Sequence, residues 1–139
     1  MKLIFYTNLL KAFPGSGHPD FYTRHAKAVG AVSQPFDKYL CSWLSSDIDT
    51  VNGCVAMLSQ IIELENGTRD LVLGGGNAWF VEIYREHVQF ELQTSNDHLD
   101  WPIWKCSLIQ VKAALTGWKQ FLAMQLNAET LHTIELPAN

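Results

Sequence analysis

Hydrophobic positions change period several times along the chain, and each change marks a boundary. MKLIFYTNLLKAF at the N-terminus is apolar enough for a first strand or helix, broken by Asn8 and Lys11. Residues 14–20, PGSGHPD, form a loop in which glycine and proline punctuate the backbone. From Asp20, a candidate N-cap, a short helix is expected to run to Val29 and stop at Gly30. Phe36, Tyr39, Leu40, Trp43 and Leu44 then recur at helical spacing from Pro35 onward. A third helix, capped by Asp47 or Asp49, places Ile48, Val51, Val55, Leu58 and Ile62 on one face. Asn66-Gly67 ends it, supplying a residue that tolerates the left-handed region.

After this the period falls to two. Leu71 to Leu73 begin a strand. In WFVEI the alternating residues Trp79, Val81 and Ile83 share a face, leaving Glu82 on the other. In VQFELQ, Val88, Phe90 and Leu92 point in while Gln89, Glu91 and Gln93 point out. Tyr84 to His87 are left as a hairpin turn. A polar loop, TSNDHLDWP, leads to a fourth strand at Ile103 to Cys106. Ser107 and Gln110 have the spacing of a capping box and open a last helix. Its stripe is Leu108, Val111, Leu115, Trp118 and Leu122, with Phe121 at the edge. From Asn127 the chain reads as a loosely held tail.

Short hairpin connections require antiparallel pairing, because a parallel crossover needs a dozen or more residues. The expectation is a single α+β domain over residues 1–126, an antiparallel meander of about four strands with helices on one face, and a tail over 127–139. With 139 residues, such a domain can bury roughly two-thirds of the surface its unfolded chain exposes.

Composition narrows the function classes. The formal charge is −4, from 14 acidic and 10 basic residues. Non-specific nucleic-acid binding needs a basic face that displaces counterions, so no nucleic-acid partner is expected. No run approaches the length of about 18 apolar residues that spans a bilayer, so no membrane partner is expected either. Cys41, Cys54 and Cys106 are odd in number and contain no CxxC pair. They read as small buried apolar residues of a cytoplasmic protein rather than as a zinc site or a disulfide framework.

Gly74-Gly75-Gly76 invites a phosphate-cradle reading. A dinucleotide fingerprint, however, needs a strand before the glycines and a helix N-terminus after them. Here a strand, AWFVEIY, follows, and no Gly-Lys-Ser/Thr occurs anywhere. The triplet is therefore expected to turn the chain at a sheet corner, with positive φ as the reason for glycine. No cofactor is expected.

His18-Pro19-Asp20 matches the J-domain tripeptide, but the PGSG before it cannot be the helix which that family requires. Ser16 lies between glycines without the elbow motif or a base in reach. Asn96 to Trp101 form the densest polar cluster. Asp97, His98 and Asp100 could act as an acid–base or metal-binding set in a small hydrolase or metal-dependent enzyme. They could equally, with Trp101 as an aromatic anchor, form a docking loop for a partner. Glu82 and Glu91, on the polar side of the hairpin, would extend such a surface towards a basic partner.

A helix closed by a glycine stop, then LVLGGGNAWFVEIY with a paired strand, then an amphipathic helix with a central Trp, resembles the small immunity proteins of bacterial polymorphic-toxin and contact-dependent inhibition systems. The resemblance spans residues 47–125. It implies a cytoplasmic, non-enzymatic protein that binds a cognate, basic, nuclease-type toxin and blocks its active site or substrate access. It carries no catalytic residues. The partner-binding candidates are Glu82, Glu91, Asp97, His98, Asp100 and Trp101, and no metal ligands are expected. A general adaptor subunit would need only the same complementary surface.

Overall fold

The computed structural model describes residues 1–93 and 100–138. Among them are seven strands and three α-helices, in the order β1 (Lys2–Leu10), β2 (Phe21–Val29), a π-helical turn (Phe36–Cys41) running into α1 (Ser42–Asp47), α2 (Val51–Glu65), β3 (Val72–Leu73), β4 (Trp79–Ile83), β5 (His87–Leu92), β6 (Trp104–Ser107), α3 (Leu108–Leu122) and β7 (Leu131–Glu135). Both sheets are antiparallel, which makes this a single α+β domain.

The expected meander is sheet B, in the order β3-β4-β5-β6. Its register pairs Val81 with Phe90 and Ile83 with Val88, so the inward set of each strand meets the inward set of the next. All four of these side chains are buried. Sheet A, in the order β2-β1-β7, was not expected. The segment read as a helix from Asp20 is β2, and Asp20 caps no helix. Its carboxylate accepts the Ala12 N–H at 2.8 Å across the hairpin loop. FYTRHAKAV carries helix-forming alanine and lysine, but pairing with nine residues of β1 overrides that local preference. The supposed tail contains β7, held by β1 from Lys2 to Tyr6.

The helices lie against both sheets. Phe5 of β1 meets Trp118 and Phe121 of α3 at ring separations of 5.3 and 5.9 Å. On the other side Trp43 of α1 meets Phe90 of β5 edge-on at 5.5 Å. The Ser107–Gln110 capping box forms as expected, and the buried residues of α3 include the whole predicted stripe.

α2 is capped by Thr50, whose hydroxyl accepts from Gly53 N–H, and not by Asp47 or Asp49. It ends as expected: Gly67, at φ +80°, donates to Leu64 and Thr68 donates to Glu63, the paired bonds of a Schellman ending. Its inward face differs from the predicted one. Cys54, Met57, Ile61 and Leu64 are buried, while Val55 and Ile62 are 49% and 54% exposed.

Candidate functional site

Helices cover the inner face of sheet B, and its outer face carries the side chains that alternation sends away from the core. Register places Phe80 beside Glu91 and Glu82 beside Gln89, so the two glutamates expected to serve a partner share one open surface. Leu73 of β3 lies opposite Glu82. Phe80 and Leu73 are 56% and 70% exposed, two apolar side chains standing in an acidic surround. A shallow hollow of about 300 Å³ lies among Leu73, Gly75, Phe80, Glu82, Glu91 and Gln93. The Glu82 carboxylate accepts the Tyr84 hydroxyl, and that bond holds the phenol above its ordinary range. Part of the outer face is thus held by an internal hydrogen bond.

Phe80 and Leu73 were not among the sequence candidates. The signal for Phe80 was present, since the alternation that buries Trp79, Val81 and Ile83 must expose it. Leu73 lies in a strand of two residues, too short to show a period.

The backbone corner beside the hollow is held by a carboxylate expected from the sequence to be a helix cap. Asp47, at the end of α1, accepts the backbone N–H groups of Gly76, Ala78 and Trp79 at 3.0, 3.1 and 3.1 Å. Gln93 closes the same corner by donating to the carbonyls of Gly76 and Trp79. The corner is a sheet turn, as expected, but its glycines do not have positive φ. A Cβ on Gly75 would lie 2.0 Å from the Trp79 carbonyl oxygen, so close backbone approach is the reason for glycine. Replacing Asp47 with alanine leaves three donors without their acceptor. With charge-assisted bonds this costs about 2–4 kcal/mol of unfolding free energy, to be measured by urea denaturation. A loss below about 0.5 kcal/mol, the size of an ordinary surface change, would show that the carboxylate does not hold the corner.

Asp100 is exposed and Trp101 is half-buried. Trp101 packs edge-on against Tyr39 and Trp79 at 5.9 and 6.2 Å, with Lys38 Nζ 4.1 Å above its ring. Lys38 also donates to the Asp100 carbonyl oxygen, and the Tyr39 hydroxyl to that of Pro102. Trp101 is therefore a half-buried brace between the π-helical turn and β6. Trp104 is likewise half-buried, stacked on Tyr39 at 5.4 Å. Asp97 and His98 lie outside the described residues.

Other candidates resolve simply. Ser16 Oγ accepts the N–H of His18, a local loop bond. Cys41, Cys54 and Cys106 are buried and unpaired. Burial pushes Cys54 up to about 11 and Cys106 up to about 12, and raises Cys41 further. None of the three supplies a thiolate at neutral pH. Among the described residues no group of three His, Cys, Asp or Glu side chains could hold a metal ion, and no helix is long and apolar enough to cross a membrane. No protein-family model, curated protein or solved structure matches the chain.

Proposed function

We propose that the protein is an immunity-type inhibitor that binds a basic, nuclease-type toxin domain and blocks its active site or its access to substrate. The observation that carries this reading is the outer face of sheet B, where Glu82 and Glu91 flank the exposed Phe80 on a rigid, hydrogen-bonded scaffold. An aromatic anchor within a field of one sign is the usual composition of a binding hot spot with electrostatic steering around it. Phe80 and Leu73 supply the surface that loses water on docking. The glutamates attract and orient a cationic partner.

The test begins by sequencing the DNA on either side of the gene; a neighbouring reading frame that ends in a small basic domain is then co-expressed with this chain, followed by co-purification and stopped-flow association. Growth is expected to be restored and the pair to co-purify. Glu82→Lys with Glu91→Lys is expected to slow association about tenfold or more at low salt and to flatten its salt dependence. Phe80→Ala is expected to act on dissociation instead. Asp100→Lys provides a comparison for the neighbouring loop. Association that is indifferent to both glutamates across ionic strength would exclude this face as the docking surface.

A further inference from the structure

The β1–β2 hairpin extends past the rest of the domain. β7 pairs with β1 only from Lys2 to Tyr6, whereas the β1–β2 ladder continues out to Leu10 and Phe21. Residues 13–21 at its tip are all exposed, Phe13 by 87%, and Leu9 and Leu10 are exposed beside them. The tip is closed by its own bonds: Asp20 accepts the Ala12 N–H, and Ser16 N–H donates to the Phe13 carbonyl. Leu10, Phe13 and Phe21 line a hollow of about 420 Å³ there, together with other tip residues only. These apolar side chains stand in water rather than in the core.

Alternation extends this surface along sheet A. Phe5 faces Trp118 and Ile134 lies against Gly117, so the side chains of that parity face α3. The other parity turns Tyr6, Leu10, Phe21, His25, Lys27 and Leu131 outward. Register puts Leu10 beside Phe21, and Tyr6 between His25 and Leu131. Tyr6 stacks on His25 at 5.5 Å, and Lys27 Nζ lies 5.2 Å from the centre of the Tyr6 ring. Leu10, Phe21, Lys27 and Leu131 are exposed.

Fixed charge on this surface is basic. Lys11 and Lys27 are exposed and form no ion pair among the described residues. The acids beside them are engaged, Asp20 by the Ala12 N–H and Glu135 by Lys2 at 3.9 Å. The whole chain carries a net charge of −4, so an apolar surface with unpaired lysines is set apart from the rest.

We infer that this surface binds the face of an anionic lipid bilayer, with the hairpin tip inserted among the lipids and the lysines at the headgroups. Leu10, Phe13 and Phe21 leave water together, and a bilayer accepts all three without a shaped pocket. Lys11 and Lys27 supply the attraction to anionic headgroups. An apolar insertion and a basic patch are each weak alone, and the two together give reversible anchoring. The expectation of no membrane partner came from the lack of a spanning run, and a protein that lies on a bilayer needs none. A single-stranded nucleic acid would use the lysines and Tyr6 but leave Phe13 in water. The surface belongs to sheet A and its hairpin, and the toxin-facing glutamates to sheet B. The inference therefore goes beyond the proposed function and does not rest on it.

Vesicle flotation with the full chain tests it, using phosphatidylcholine vesicles and vesicles of equal parts phosphatidylcholine and phosphatidylglycerol. The chain is expected to float with the mixed vesicles at low salt, to be released as salt rises, and to leave pure phosphatidylcholine vesicles unbound. Phe13→Ser is expected to weaken binding about tenfold or more, and Lys11→Glu with Lys27→Glu to weaken it by about as much. Ile62→Ser, which removes an exposed apolar side chain from α2, is expected to bind as the wild type does. No flotation with the mixed vesicles overturns the inference. So does binding that ignores headgroup charge, binding that survives Phe13→Ser, or an equal loss in Ile62→Ser. Capture of a single-stranded oligonucleotide that needs Lys27 but not Phe13, without flotation, assigns the face to nucleic acid and overturns it as well.

Discussion

Truncating Trp43 to alanine is expected to destabilise the protein by about 3–5 kcal/mol, the range for removing a large aromatic side chain from a close-packed core. Trp43 has no solvent exposure and stands where three parts of the fold meet. It belongs to α1, its ring lies edge-on to Phe90 of β5 at 5.5 Å, and its indole N–H donates to the Gly74 carbonyl at 2.8 Å. Alanine would open a cavity between helix and sheet and leave that buried carbonyl unpaired. The unpaired carbonyl alone is worth about 1–3 kcal/mol. Trp43→Phe separates the two contributions, since it keeps most of the packing and loses only the donor. It is expected to cost about 1–2 kcal/mol. Urea unfolding with an unchanged denaturant slope is the measurement, because a changed slope would report an altered denatured or native ensemble instead. If both substitutions cost the same, the hydrogen bond and not the packing is what fixes α1 to sheet B.

The same residue shows what the sequence made legible. Phe36, Tyr39, Leu40, Trp43 and Leu44 formed an unambiguous helical stripe, and Tyr39, Leu40, Trp43 and Leu44 are buried. Strict alternation in β4 and β5 likewise had a single solution. α2 did not, because two apolar stripes overlap on it. One contains Val51, Val55, Leu58 and Ile62, and the other Cys54, Met57, Ile61 and Leu64. Both satisfy the helical period, and only the position of α3 and sheet B decides between them. Sheet A was illegible for a different reason. β1 finds its partners at opposite ends of the chain, in β2 and β7, and no local pattern encodes a pairing between Lys2 and Glu135. Asp47 was misplaced by the same kind of long-range event. Its acceptors look like a helix cap locally, but they satisfy donors about thirty residues away.

The candidate surface was legible in proportion to its alternation. Glu82 and Glu91 lie on the open face because period two requires it, and Phe80 follows from the same rule. Trp101 had no periodic context, and composition alone suggested an exposed anchor. Its actual setting, between Tyr39, Trp79 and Lys38, depends on the π-helical turn lying beside the β5–β6 connection. A partner using this end of the sheet would therefore meet Phe80 and the glutamates, with Trp101 supporting the strand connection.

The three adjacent glycines give a graded test of the corner beside that surface. A Cβ at Gly76 would meet Asp47 at 3.6 Å, ordinary van der Waals contact. At Gly74 it would press on Ile83 and Trp43 at 3.3 Å, side chains that can shift slightly. At Gly75 it would lie 2.0 Å from a backbone oxygen and 3.1 Å from the Phe80 Cα, neither of which can rotate away. Relief there requires separating the corner from the start of β4. Yet Gly74 N–H is bonded to Val81, Gln93 N–H to Ala78, and Trp79 N–H to Asp47. Breaking two such bonds in a partly buried setting costs about 3 kcal/mol or more. Gly75→Ala is therefore expected to destabilise by at least that amount, Gly74→Ala by about 1–2 kcal/mol, and Gly76→Ala by less than about 0.5 kcal/mol. The order matters more than any one value. Conformational freedom as the reason for the triplet would make the three costs similar, whereas close approach makes the middle one dominate. If Gly75→Ala folds with wild-type stability, the corner is not closed against β4 as described. The face proposed for docking would then lack the closed corner beside Phe80.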